Sequence, residues 1–376
     1  MRIAYIITWN LCHNDGVTRK VFRQAQDWRN SGHEVEIFCA TEEKEDHIKG
    51  AKFFVKDRVW SSPLAVIKNR KVYSKLCESV MDYEPDIIYL RWEFHKASIM
   101  KLMRRIPTVI EINTHFGGEF KRRSQENWIE RIRYWYYLLT HKKFSRSSAG
   151  FVSASKEILE LGGYLEMNKP TSYIPNSIPI DEKQKTVKYS ASDSSVPRLV
   201  FISSGIQPWH GLDNLIELAE NSLGELEFDL ITGFDAESLE LPENIQVYSF
   251  LEKIDFLKVF EGAVAGIGSA GLYENGMNEA SVLKVREYLS AGLPVIVPYK
   301  DTAFLDQELP DWFLQLSNEP RSLTLGKEMI LDFVNKMNGR RVPLNEVAPY
   351  VGSNRWEAER LLFMESIIID LSLIHI

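Results

Sequence analysis

Apolar residues along this 376-residue chain come in short runs, never in one long stretch. The first run, residues 2–8 (RIAYIIT), shows no regular polar alternation, which predicts a strand buried on both faces of a parallel sheet. Residues 9–16 are polar and loop-like. Positions 17–30 then put Val17, Val21 and Ala25 on one helical face, Ser31-Gly32 ends the helix, and residues 33–39 read as a second strand. The alternation continues with strands expected at 86–90, 108–112, 150–153 and 172–174, and helices at 64–81, 96–104, 127–144 and 156–161. Strands that alternate with helices imply a parallel sheet with helices on both faces.

The pattern breaks at 181–197 (DEKQKTVKYSASDSSVP), a polar, Ser-rich stretch expected to be an interdomain linker or a surface loop. A second alternation follows. Strands are expected at 198–203, 227–232, 245–248, 264–267 and 295–298, and helices at 212–220, 253–261 and 281–290. The expected fold class is therefore α/β, with two Rossmann-like, doubly wound domains in tandem: 1–180, a linker over 181–197, and 198–376.

Composition fits two ordinary cores, at 44% hydrophobic and 26% charged. Charge separates the halves: residues 1–180 carry 29 Lys+Arg against 21 Asp+Glu (net +8), and residues 181–376 carry 16 against 31 (net −15). The basic half is densest between Lys101 and Arg146. Cys12, Cys39 and Cys77 are unclustered, giving no zinc spacing and no disulfide framework, which suits a reducing cytosol. The opening MRIAYIITWN reads as a strand, not as a signal peptide, and no stretch reaches the length of a transmembrane helix. The last six residues, LSLIHI, look like translated adapter read-through and are given no role.

Candidate chemistry concentrates at 278–297 (NEASVLKVREYLSAGLPVIV). The carboxylates Glu279 and Glu287 stand eight apart. Ser281 is an N-cap type at the start of the expected helix, Gly292 stops it, and Pro294 leads into a buried strand. A loop-to-helix junction presents free amides and the positive end of the helix dipole, a natural diphosphate site. Glu279 is placed to accept hydrogen bonds from a sugar, and Glu287, two turns in, from the vicinal hydroxyls of a ribose. Lys284 adds a cation in the first turn. An amphipathic helix with two surface carboxylates has the same spacing.

Residues 278–297 resemble the signature of glycosyltransferase family 4: two glutamates separated by seven residues, followed here by Tyr288-Leu289-Ser290-Ala291-Gly292-Leu293-Pro294-Val295-Ile296. The resemblance implies the GT-B fold, two Rossmann-like domains facing each other across a cleft, with the last helix able to return to the first domain. It implies a retaining transferase using a nucleotide-diphosphate sugar, with UDP or GDP as carrier. Glu287 would bind the ribose, Glu279 the transferred sugar, and the amides of Ala280, Ser281, Val282 and Leu283 the diphosphate. A second similarity lies at 201–216 (FISSGIQPWHGLDNLI), closest to members with Trp-His-Gly. Where most of the family has an arginine and a lysine in this turn, this chain has Gly205 and His210. Lys284 is the expected substitute, helped by amides around Gly205.

The first domain is similar more loosely. TVIEINTHFGGE at 108–119 would direct Glu111, Asn113 and His115 to the cleft, with His115 on the donor sugar; a lone histidine is also commonly structural. Arg91 in YLRWE would line the cleft or pair with Glu93 or another carboxylate. Gly16 corresponds to the family's glycine-containing loop, and Asn176 in IPNS to its Ile-Pro-Asn-Gly turn, with a role in shaping the crossover between domains.

Catalysis then rests on stabilising the leaving diphosphate. Glu279, His115 and Lys284 are the catalytic candidates; no cofactor and no metal are expected, since no Asp-x-Asp stands near a strand end. The expected partners are the nucleotide sugar, a glycan or lipid-linked acceptor, and an anionic membrane surface. That surface would be met through the basic, aromatic stretch 121–146, with Trp128, Tyr134, Trp135, Tyr136 and Tyr137. A helix packing those aromatics into the first domain is the alternative. The expected location is cytoplasmic, peripheral on the inner membrane face. A nucleotide-sugar epimerase of the same fold and a catalytically silent nucleotide-sugar-binding subunit remain rival readings. A nicotinamide oxidoreductase is disfavoured because no Gly-x-Gly-x-x-Gly follows the first strand, and no motif supports nucleic-acid binding.

Overall fold

A computed structural model describes every residue except 12–15, 44–49, 58–62, 181–185, 191–195, 238, 250–255, 306 and 375–376. The chain forms two compact units, Met1–Ile174 with Ser353–Ile376, and Pro175–Gly352.

The first unit is built on a seven-stranded, wholly parallel sheet. Its strands are β1 (Arg2–Thr8), β2 (Glu34–Thr41), β3 (Ala51–Val55), β4 (Ile87–Arg91), β5 (Thr108–Ile112), β6 (Gly150–Ser153) and β7 (Thr171–Tyr173), in the order β3-β2-β1-β4-β5-β6-β7. Continuous apolar runs make the inner strands: the middle five residues of β1 and all of β5 are buried. The helices are α1 (Gly16–Asn30), α2 (Pro63–Tyr83), α3 (Ala97–Met103), α4 (Phe116–Arg123), α5 (Trp128–Ser145) and α6 (Lys156–Leu161). The strand order reverses between β1 and β4, and ligands of open parallel sheets bind beyond the strands' carboxyl ends at such a switch point.

The second unit has a six-stranded parallel sheet, β10-β9-β8-β11-β13-β15. Its strands are β8 (Arg198–Ser203), β9 (Glu227–Thr232), β10 (Ile245–Ser249), β11 (Ala265–Ile267), β13 (Val295–Val297) and β15 (Phe313–Gln315). A small parallel pair joins β12 (Glu279–Ala280) to β14 (Lys300–Asp301). Its helices are α7 (Leu212–Glu220), α8 (Phe256–Gly262), α9 (Leu283–Ser290), α10 (Ser322–Leu325), α11 (Lys327–Met337) and α12 (Leu344–Val351). The last helix, α13 (Ser353–Ile374), belongs to the first unit, where Trp356, Leu361, Met364 and Ile367 join the core around Tyr5, Trp28 and Tyr89. The Trp28 indole N–H donates to Glu357 at 2.9 Å, which ties α13 to α1 through a buried bond.

Three sequence expectations change. The segment 181–197 does not join the units: the chain passes between them at Ile174/Pro175. Within the second unit the Val187 N–H donates to the Ala291 carbonyl (3.1 Å) and the Ser190 N–H to the Glu261 carbonyl (2.9 Å), so its described middle is a surface strap, for which a polar composition serves as well. The edge strand β3, only half-buried along its length, and the short helix α4 were not foreseen. Nor was Ser281 correctly placed. The helix starts at Leu283 with Val282 as its cap residue, because the Ser281 hydroxyl is engaged elsewhere.

Candidate functional site

In the second unit the 278–297 segment folds as a strand, a turn and α9. Among the described residues no side chain caps the first turn of α9, so its leading amides are left to another acceptor. Lys284, the second helical residue, is buried, and its ammonium has no hydrogen-bond partner among the described residues. It lies 4.2 Å from the centroid of the Phe201 ring on β8. Burial pushes its pKa down to about 7. An ammonium in such a place is costly unless an anion arrives.

The loop after β8 supplies the neighbouring group. His210 closes a short turn, Pro208–His210, and is pushed down to about pKa 3 by burial first and by the Lys284 charge second. Its Nδ1 has no hydrogen-bond partner among the described residues. Gly211 explains the glycine of Trp-His-Gly: its φ is +78°, and a Cβ there would stand 2.4 Å from the Ala270 carbonyl carbon. Across the same contact, a Cβ on Gly271 would meet the Pro208 carbonyl oxygen at 2.1 Å. The two loops interlock backbone to backbone, and the Ala270 N–H donates to the His210 carbonyl at 3.1 Å. At Gly205 the space a Cβ would take is filled by the Gln207 amide, and the Gly205 carbonyl accepts from the Ser203 hydroxyl at 2.7 Å.

A buried network sets the turn before α9. The Arg286 guanidinium donates to both Asp301 oxygens at 2.7 Å, to the Ser281 hydroxyl at 2.7 Å and, through Nε, to the Asn176 carbonyl at 2.8 Å. The Asn176 N–H donates to the Ser281 hydroxyl (2.7 Å), and the Asn176 amide donates to the Ser281 carbonyl. Ser281 is thus a fixed structural joint. Ala280 pairs with Asp301 in the small sheet, Val282 and Leu283 are half-buried, and so are Glu279 in β12 and Glu287 within α9. Tyr288 holds α9 on β8 by accepting the Ile202 N–H at 2.8 Å. A separate cavity of about 380 Å3 opens at the amino-terminal ends of β8, β9 and β10, among Arg198, Glu227 and Gln246, away from these residues.

In the first unit the sheet's carboxyl end gathers Arg91, Glu111 and Asn113 around Lys20 of α1, which sequence reasoning missed. The Lys20 ammonium donates to Glu111 at 2.7 Å and to Asn113 at 2.8 Å, and Arg91 donates to the second Glu111 oxygen at 3.3 Å. Burial would raise the Glu111 pKa, but Lys20, Arg91 and Arg360 hold it well below the usual carboxylate range. Lys20 is pushed down to about 8 by burial against the pull of Glu111. Glu111 is therefore a sealed counter-ion, and Arg91 pairs with it while Glu93 takes Lys96. The Asn113 amide nitrogen has no hydrogen-bond partner among the described residues. His115 is half-buried at the cap position of α4, and Gly16 is the first residue of α1; residues 12–15 of that loop lie outside the described residues. Among the described residues no group of three or more His, Cys, Asp or Glu is placed to hold a metal ion, and no helix is long and apolar enough to cross a membrane.

No protein-family model matches the chain, and no curated protein matches it. Solved structures do. Sucrose-phosphate synthase from Thermosynechococcus elongatus aligns with a TM-score of 0.69 at 13% identity, over 98% of this chain and 100% of that one. The lipopolysaccharide outer core galactosyltransferase WaaB aligns with 0.62 at 12% identity, over 98% and 99%. Anabaena HepE in complex with UDP-glucose aligns with 0.60 at 14% identity, over 99% of each chain. The chain has the GT-B glycosyltransferase fold.

Proposed function

We propose that this protein is a retaining glycosyltransferase of the family 4 type. It would move a sugar from a UDP- or GDP-linked donor to a glycan or lipid-linked acceptor in polysaccharide, lipopolysaccharide or other glycoconjugate synthesis. The observation that carries the reading is the buried, unpaired Lys284 ammonium beside an uncapped helix start. When the bond from anomeric carbon to phosphate breaks, negative charge grows on the leaving diphosphate. Lys284, the amides of residues 280–283 and the loop at Gly205 would meet it, without a metal. Neutral His210 adds a hydrogen bond and no charge. Glu287 takes the ribose hydroxyls and Glu279 the transferred sugar. The setting we assign is peripheral, on the cytoplasmic face of a membrane.

The test is a thermal-shift screen of nucleoside diphosphates and their sugars, with UDP-glucose first because HepE holds it. A ligand at 100 times its dissociation constant stabilises a fold by about 2.7 kcal/mol. The expected result is a shift with one base, lost in Glu287→Ala and in Lys284→Met. Well-folded protein that answers to no nucleotide overturns the reading. Release of an altered nucleotide sugar without an acceptor would favour an epimerase, and binding without turnover on any acceptor a silent subunit.

A further inference from the structure

Helix α5 turns an apolar face to solvent. Trp128 is 69% exposed, Trp135 60% and Leu139 77%, with Ile132 at 44%. Their spacing of four, three and four residues draws one straight stripe along the helix. The opposite face is already used: Tyr137, His141 and Phe144 are buried, and Tyr137 packs with Trp92 and Phe120. The helix is therefore apolar on both sides, and only one side is spent on the core.

The stripe's borders are basic. At 3.6 residues per turn Arg131 and Lys142 flank it on one side and Lys143 on the other, with Arg146 continuing its line; all four are exposed. The one acid within α5, Glu130, lies on the inner face and pairs with Arg133. A second exposed apolar stripe, Leu362, Ile369 and Leu373 on α13, differs in this respect: exposed Asp370 and half-buried Glu365 border it. Tryptophans and aliphatics rimmed by lysine and arginine match the boundary between acyl chains and anionic headgroups. Of these two stripes that of α5 has the basic rim, with one exposed acid from outside the helix, Glu166, 3.8 Å from Lys142.

We propose that α5 docks the protein on an anionic lipid bilayer, with Trp128, Ile132, Trp135 and Leu139 entering the interface and Arg131, Lys142, Lys143 and Arg146 on the headgroups. This deepens the membrane setting assigned above and rests on it only for that setting, since docking needs no nucleotide. The helix lies along the surface and does not cross it. Each basic residue near such a surface strengthens binding about fivefold, and the gain fades with salt.

The experiment is co-sedimentation with vesicles of equal parts phosphatidylcholine and phosphatidylglycerol at low salt, beside vesicles of phosphatidylcholine alone. The wild type is expected to pellet with the anionic vesicles only, with its tryptophan emission shifted to the blue. Trp135→Glu with Leu139→Glu, and separately Lys142→Glu with Lys143→Glu, should each cut partitioning at least tenfold. All four positions are exposed, so thermal midpoints should hold, and the nucleotide-induced shift should be unchanged in both variants. Wild type that stays in solution, or variants that pellet like it, overturns the proposal. So does a concentration-dependent dimer abolished by Trp135→Glu without any vesicle binding, which would give the stripe to a second copy of the chain. Loss of the nucleotide shift in wild type with vesicle binding intact would fail the transferase reading and leave this one standing.

Discussion

The Lys284 ammonium stands over the Phe201 ring at 4.2 Å and makes no hydrogen bond to any described residue. Few arrangements inside a protein are more expensive. A ring face gives back part of the lost hydration, but less than a carboxylate would. Lys284→Met keeps the length of the side chain and removes the charge. The variant should be more stable than wild type without ligand, by about 1–3 kcal/mol, or roughly 2–4 °C per kcal/mol in a unit of this size. It should also lose the shift induced by nucleoside diphosphates. Calorimetric melting with and without ligand measures both, and a variant that melts lower yet still binds would remove Lys284 from the donor site.

The same group predicts a pH dependence. Free Lys284 titrates near 7, against an ordinary value of 10.5. Between those limits the unfolded chain binds the proton that the folded protein releases, so the stability of the free protein rises with pH across that window. A bound diphosphate restores the charged form, and binding above pH 7 must take up a proton. Affinity should therefore fall up to tenfold per pH unit above about 7. His210, already pushed down to about 3, adds nothing in this range. Titration calorimetry in two buffers of different ionisation enthalpy reads the proton directly; no uptake at pH 8 would contradict the assignment.

Glu111 and Lys20 form the corresponding knot of the first unit, 2.7 Å apart and both buried. Glu111→Gln leaves Lys20 in the core without its counter-charge and should cost about 3–5 kcal/mol. Adding Lys20→Met should return part of that loss, because the stranded charge is gone. The carboxyl is held below its ordinary range, so its contribution is complete above about pH 4.5 and lost as the pH falls further. Chemical unfolding of the wild type and the two variants at pH 7 and pH 4 tests this.

Much of the fold was legible because its strands are short, uninterrupted apolar runs. Residues 2–8, 108–112, 198–203 and 227–232 became β1, β5, β8 and β9 with the boundaries expected of them. Side-chain chemistry was legible only where it is local. Gly211 announces itself in Trp-His-Gly because the turn needs its positive φ. Lys20, in VTRKVF, looks like a solvated charge, and its burial depends on a strand 91 residues further on. Periodicity could not choose the outer face of α5, since both faces are apolar; only the packing of Tyr137 and Phe144 decides it. Ser281 misled for a related reason: a serine before a helix is normally a cap, and Asn176, 105 residues away, had claimed its hydroxyl.

Arg286 and Asp301 were wholly hidden from sequence reasoning, and the shape of the proposed donor loop depends on them. Both are fully buried, and the guanidinium also holds Ser281 and Asn176. Asp301→Asn keeps the volume but leaves a buried guanidinium without its anion, and should destabilise the second unit by about 3–5 kcal/mol. Arg286→Lys should fail almost as badly, because an ammonium cannot reproduce the planar fork that serves three residues at once. Ser281→Ala removes one acceptor from the network and leaves the ion pair, at about 1–2 kcal/mol. Its informative effect is on binding. With Arg286 and Asp301 intact the unit still folds, but the turn carrying residues 280–283 loses its brace, and nucleotide affinity should drop by more than the stability change explains. A Ser281→Ala protein that binds nucleotide as wild type does would show that α9 alone, and not this network, positions the amides.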